Sequence, residues 1–211
     1  MNPIVLGTIA GSRLNLDGDQ GNLLALRRYL SAAGFSVEFR SVASTAAALD
    51  CHFLLFGHGS VAAMASLDEM LAAIDWAAVS AGVPGLVVGS GFEWLASHDH
   101  VNERISRTDR ESEFQVADLG PLRVLGYRNT DSGLPNLAMN GNLICTMLHG
   151  PVLAKNPKLL DRAARAAVAA AGKDWPMPSP EPLTSWVETL NRVCARIWEL
   201  EAEEVLDPAK A

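Results

Sequence analysis

The sequence is poor in cysteine, in aromatic residues and in positive charge. Cys51, Cys145 and Cys194 are the only cysteines among 211 residues, and they lie far apart with no CxxC spacing. Such an odd, scattered set supplies neither a disulfide framework nor a structural zinc site, and it points to a reducing compartment. Lys and Arg number 17 against 24 Asp and Glu, a formal net charge of −7. There is no basic field to hold nucleic acid or an anionic membrane surface. Long apolar runs are missing as well, so no membrane insertion is expected. The N-terminal stretch carries no charged region leading into a signal-peptide core. These absences lead to the expectation of a cytoplasmic protein. What is present is a globular composition, 49% apolar and 19% charged, in a chain long enough to bury a core without covalent staples.

Apolar runs and turn residues alternate through the first half. Pro3–Ala10, Phe35–Arg40, His52–Phe56 and Pro84–Val88 read as strands. After the first, the turn Leu14–Asn22 leads into Leu23, Leu24, Leu26 and Leu30 at helical spacing, with Gly34 as the stop. Ser66–Ala81 reads as one helix, Ser66 its N-cap and Glu69 completing a capping box. A short helix is expected over Phe92–Ala96. This β-α-β-α-β order predicts a mostly parallel sheet covered by helices on both faces. Ligands of such sheets sit beyond the carboxyl ends of the strands, where Gly57-His58-Gly59 and Gly89-Ser90-Gly91 fall.

The later chain reads differently. His98–Arg110 is polar and expected as loop. Phe114–Val116, Leu122–Gly126 and Leu143–Thr146 are expected as short strands in mixed or antiparallel pairing. Pro157–Gly172 predicts a helix with proline in its first turn. Residues 1–174 read as one domain, and 175–211 as a Pro-rich linker, Trp175–Pro182, followed by a helix from about Leu183 to Leu206. An apolar stripe runs along that helix from Leu183 through Trp186, Leu190 and Cys194 to Trp198 and Leu200. It packs on its own domain or is offered to another chain.

Three segments carry a resemblance. Leu14–Gly34 reads LNLDGDQGNLLALRRYLSAAG, Gly82–Ala96 reads GVPGLVVGSGFEWLA, and Asn140–Leu160 reads NGNLICTMLHGPVLAKNPKLL. From about residue 3 to residue 172 the chain resembles the class I glutamine amidotransferases of the cobyric-acid-synthase branch, and within them the GatD-type glutaminase subunits of lipid II isoglutaminyl synthases. The resemblance implies a flavodoxin-like α/β fold with a mostly parallel central sheet flanked by helices, here with a C-terminal helical extension. It implies no cofactor. In that family a cysteine on a sharp strand-to-helix turn attacks glutamine, beside backbone N–H groups that hold the oxyanion. A histidine from a distant strand raises its thiolate population. The ammonia passes to a Mur-ligase-like, ATP-dependent partner that amidates a peptidoglycan stem peptide.

The pattern breaks at its centre. The family's turn resembles V-C-G-G-Y-Q-L-L, and aligning Phe92-Glu93-Trp94-Leu95 with Y-Q-L-L puts Gly89 at the cysteine position and Ser90 on the first glycine. Glu93 stands for a glutamine. In Gly126-Tyr127-Arg128-Asn129, Arg128 stands where a glutamate is usual. His149 sits at the family's histidine position, either as a surviving base or as a packed, hydrogen-bonded residue. Gly57-His58-Gly59 matches the oxyanion loop, with His58 in a glycine position. Ser90 is a weak nucleophile candidate, because an alcohol needs far more activation than a thiol. Gly57, His58, Gly59, Gly91 and Asn129 are the candidate substrate-binding positions. No metal is expected: Asp17-Gly18-Asp19 lacks a third ligand and reads as a turn capping the next helix, and His98-Asp99-His100 reads as a solvated loop. The expected function is that of an amidotransferase-like subunit without glutaminase activity, partnered by a Mur-ligase-like ATP-dependent subunit or by a second copy of itself. The alternatives are altered chemistry through Ser90 and His149, or small-molecule binding in the old glutamine pocket.

Overall fold

The computed structural model describes the backbone of residues 2–206 and the side-chain surroundings of residues 2–201. Residues 207–211 of the expected C-terminal segment lie outside the described residues. Strand β1 (Ile4–Ile9) leads through a loop to helix α1 (Gln20–Ala32), which returns to β2 (Val37–Val42). Helix α2 (Thr45–Leu49) precedes β3 (Phe53–Phe56). Three short helices follow, α3 (Val61–Ala65), α4 (Asp68–Ala72) and α5 (Trp76–Gly82), and then β4 (Gly85–Val88) and α6 (Ser90–Ser97). Here the alternation ends. Two hairpins succeed one another, β5 (Arg107–Leu119) with β6 (Leu122–Ser132), and β7 (Leu137–Asn140) with β8 (Leu143–Thr146). Strand β9 (Leu148–His149) is followed by α7 (Val152–Lys155), α8 (Pro157–Ala170) and α9 (Glu181–Leu206).

The protein is α/β, with a mostly parallel central sheet. Its order is β2-β1-β3-β4-β8-β7, parallel from β2 to β8, with β7 antiparallel at the edge. Both faces are covered, which explains why β3, β4 and β8 are continuous apolar runs rather than alternating ones. One core packs Phe56, Leu71, Trp76, Val79 and Trp94 under α3 to α6. The other packs Leu26, Tyr29, Leu30, Leu160, Ala164 and Val168 under α1 and α8. A second, antiparallel sheet, β5-β6-β9, carries His149 to the carboxyl end of the first. No helix among the described residues is long and apolar enough to cross a membrane.

Several expectations need correction. Ser66–Ala81 is not one helix. Ser66 closes α3, its hydroxyl donating back to the Ala63 carbonyl, and Leu67 begins α4 with no side-chain cap. The caps are Ser60, which accepts from the Ala63 amide, and Asp75, which accepts from the Ala78 amide. The expected short strands Phe114–Val116 and Leu122–Gly126 are parts of one long hairpin, the first within β5 and the second opening β6, and the polar loop ends where β5 begins at Arg107. The short helix begins at Ser90 rather than Phe92. Helix α9 lies on the body. Leu183 and Cys194 are buried, and Trp186, Val187 and Leu190 pack against the α1–α8 core.

Candidate functional site

Gly89 ends β4 and opens α6 with φ 53° and ψ −117°. Residues with a Cβ adopt this conformation rarely and under strain, whereas glycine takes it freely. Its amide donates to the Thr146 carbonyl at 2.8 Å, tying the turn to β8. A Cβ added at Gly89 would stand 2.6 Å from His58 Nδ1 and 2.8 Å from His149 Cε1. The two imidazoles therefore occupy the space a side chain would need. They meet edge to face with centroids 4.6 Å apart.

The Gly89, Ser90, His58 and Gly59 amides around the turn are each engaged from within. The Ser90 amide donates to His58 Nδ1 at 2.9 Å. The Gly59 amide donates to Ser90 Oγ at 2.9 Å, and that hydroxyl donates back to the Gly59 carbonyl at 3.2 Å. Ser90 is thus turned toward the 57–59 loop, with no hydrogen bond to His149. The His58 amide donates to Asp19 Oδ2 at 2.7 Å. Gly57 lies so close to the 14–16 segment that a Cβ would overlap the Leu14 carbonyl oxygen. Gly91 packs its backbone against Phe56.

Two acids complete the cluster. His149 Nδ1 lies 2.9 Å from Asp17 Oδ2, and His58 Nε2 lies 3.7 Å from the same oxygen. His149 Nε2 is buried with no partner. Burial holds both imidazoles below their ordinary pKa. For His58 the neighbouring His149 acts the same way, and Asp17 opposes the shift on both rings. Both rings are therefore neutral at pH 7. Asp19 is fully buried, and desolvation pushes its carboxyl up to about 6 against the His58 and Gly150 amides that donate to it. It does not cap α1. The Gln20 amide goes to Asn15 Oδ1 instead.

Asp17 and Asp19 are the residues that sequence reasoning set aside. They were one turn with no visible third ligand, because His58 and His149 stand far away in the chain. Asp17, His58 and His149 place one donor atom each within 4.8 Å of one another, the one such cluster found among the described residues. The other candidates lie elsewhere. Asn129 is held by Arg110 and Ser112 on β5. Arg128 is buried in an ion pair with Glu111, with Asn136 and the carbonyls of Ser132 and Leu134 as further acceptors. His98 is not a simple solvated residue. It stacks on Trp94 at 4.0 Å, and Trp94 donates its indole N–H to Asp68. The three cysteines are buried, and burial pushes the thiols up, Cys51 to about 11 and Cys145 to about 12, so neither supplies a thiolate.

A cleft of about 380 Å³ opens beside the cluster, walled by Met64, Trp94 and Ile105 and edged by His58, Glu93 and Arg107. Burial raises the pKa of Glu93, whose carboxylate faces Arg107 at 3.8 Å.

No protein-family model matches the chain. It is 25% identical over 214 residues to the lipid II isoglutaminyl synthase (glutamine-hydrolyzing) subunit GatD of Staphylococcus aureus strain N315, covering 82% of this chain and 87% of that protein. Among solved structures, a glutamine amidotransferase of Thermotoga maritima aligns at TM-score 0.46 and 12% identity, over 92% of this chain and 94% of the other. The Trypanosoma brucei CTPS glutaminase domain with bound acivicin aligns at TM-score 0.48 and 12% identity, over 85% and 98%.

Proposed function

We propose that this chain is a glutamine amidotransferase-like subunit that does not hydrolyse glutamine and serves a Mur-ligase-like amide-forming enzyme as its non-catalytic partner. One observation carries the reading. At the strand-to-helix turn where this kind of fold would place its nucleophile stands Gly89, and the space for a side chain there is filled by His58 and His149. A glycine can form no covalent intermediate. The amide donors that would receive an oxyanion are also spent, because the Ser90 amide is held by His58 and the Gly59 amide by Ser90. Removing one such donor from a working site costs on the order of a hundredfold or more in rate. Likeness to a protein named as a subunit of a glutamine-hydrolyzing synthase supports a role in a complex. The altered chemistry through Ser90 is not favoured, since its hydroxyl is bonded on both sides to Gly59.

The test is glutamine turnover by the purified chain, alone and co-expressed with a Mur-ligase-like neighbour, with mass spectrometry after exposure to a glutamine-mimicking chloroketone. Background turnover, no adduct and capture of the ligase are expected. A single adduct on Ser90 would overturn the non-hydrolysing part, and failure to capture any ligase would remove the partner part.

A further inference from the structure

We infer that Asp17, His58 and His149 together bind one divalent transition-metal ion of the zinc class between the Asp17 carboxylate and the two imidazole rings. The inference goes beyond the proposed function and stands whether or not a ligase partner exists. The three residues come from the loop after β1, the loop after β3 and strand β9, so the meeting of the two sheets brings the donors together. Asp17 Oδ2 lies 2.9 Å from His149 Nδ1 and 3.7 Å from His58 Nε2. Donors about 2.1 Å from a tetrahedral zinc ion stand about 3.4 Å apart, a spacing these two distances bracket. Two imidazoles and one carboxylate suit zinc, cobalt or nickel, whereas magnesium and calcium take oxygen.

Two departures from the family pattern meet at this point. His58 brings an imidazole where a glycine is usual, and Gly89 withdraws the side chain that would strike both rings. His149 is buried, while the side chains of His58 and Asp17 are 20% and 37% exposed. An ion can therefore enter from the solvent side and keep a water as its fourth ligand. The ring protons must move for this to happen. Without metal, the Ser90 amide donates to His58 Nδ1, which places that ring's proton on Nε2, and His149 donates from Nδ1 to Asp17. With metal, both protons shift to the far nitrogens and the rings stay neutral. His58 Nδ1–H then faces the Ser90 N–H and releases it. Neither far nitrogen has an acceptor among the described residues, and such outer partners are worth about 10- to 100-fold in affinity. The site is accordingly exchangeable, with a dissociation constant on the order of micromolar.

The experiment uses the full chain stripped of metal with EDTA, titrated with Zn²⁺ by calorimetry and with Co²⁺ by visible absorption, with ¹⁵N NMR of the backbone. One equivalent, the intense visible bands of four-coordinate cobalt and a shifted Ser90 amide resonance are expected. His58→Ala and Asp17→Asn, each checked for fold by circular dichroism, should weaken binding at least about 30-fold. His98→Ala should leave it unchanged. His149 lies deepest, so the two rim variants carry the test if His149→Ala fails to fold. No binding below about 1 mM, or binding that survives both rim variants, overturns the inference.

Discussion

Introducing a thiol by Gly89→Cys would place a Cβ within 3 Å of two imidazoles on a backbone that side chains adopt only under strain. The strain alone amounts to about 1–3 kcal/mol. The single variant should melt earlier and show no chloroketone adduct. Gly89→Cys with His58→Gly removes the nearer clash and frees the Ser90 amide, so adduct formation at residue 89, read by mass spectrometry, should appear only in the double variant. Equal labelling of both would mean that His58 does not block the turn. Asp19 allows a separate test by pH. Its folded carboxyl keeps its proton up to about 6, against an ordinary value of 3.8, so the folded state holds more protons in that window. Ionising Asp19 therefore destabilises the fold above pH 6 and not below 3.8. Asp19→Asn keeps an acceptor for the His58 amide. Its stability relative to wild type, from urea unfolding, should rise by about 1–3 kcal/mol between pH 4 and pH 7.5. The histidines act with the opposite sign. Rings held below 6.5 resist the proton that the unfolded chain accepts, so their contribution to stability is lost as pH falls through 6.5.

At the scale of elements, α9 shows how one apolar stripe divides between two roles. Trp186 meets Tyr29 edge to face at 5.5 Å, and Tyr29 donates its hydroxyl to Asp161 on α8. Trp198 lies under the Arg123 guanidinium. Val193 and Leu200, in the same stripe by sequence, are each 53% exposed. Trp186→Ala should therefore destabilise the chain by about 2 kcal/mol in urea unfolding. Val193→Asp should change stability by less than about 0.5 kcal/mol and instead weaken capture of the ligase. A ligase interaction unaffected by Val193→Asp would place the interface off this helix. The β5–β6 hairpin was underestimated for a related reason. Its outer residues, from Arg107 to Glu113, are mostly exposed on both faces, so they lack the alternation that marks a half-buried strand.

For the whole molecule, the sheet order puts β1, β3 and β4 side by side, so the loops that follow them open at one end, and the second sheet delivers His149 to that end. Residues 58, 89 and 128 act in different places. The first two share a single space, while Arg128 finds its counter-charge in Glu111 on the adjacent strand.

The strands β1, β3 and β4, the helices α1 and α8, and the turn at Gly89 were legible in the sequence, because apolar runs, helical spacing and glycine are local signals. The breaking of Ser66–Ala81 into separate helices was not, since it depends on where Leu67, Leu71 and Trp76 must reach the core. Nor was the joining of Asp17, His58 and His149. Their separation along the chain hides them from any spacing argument, and only the parallel sheet, with the β5-β6-β9 sheet at its end, closes the distance. The sequence alone determined that position 89 carries no side chain. The tertiary structure decided what stands in its place, because only packing shows that two imidazoles need the volume a side chain would fill.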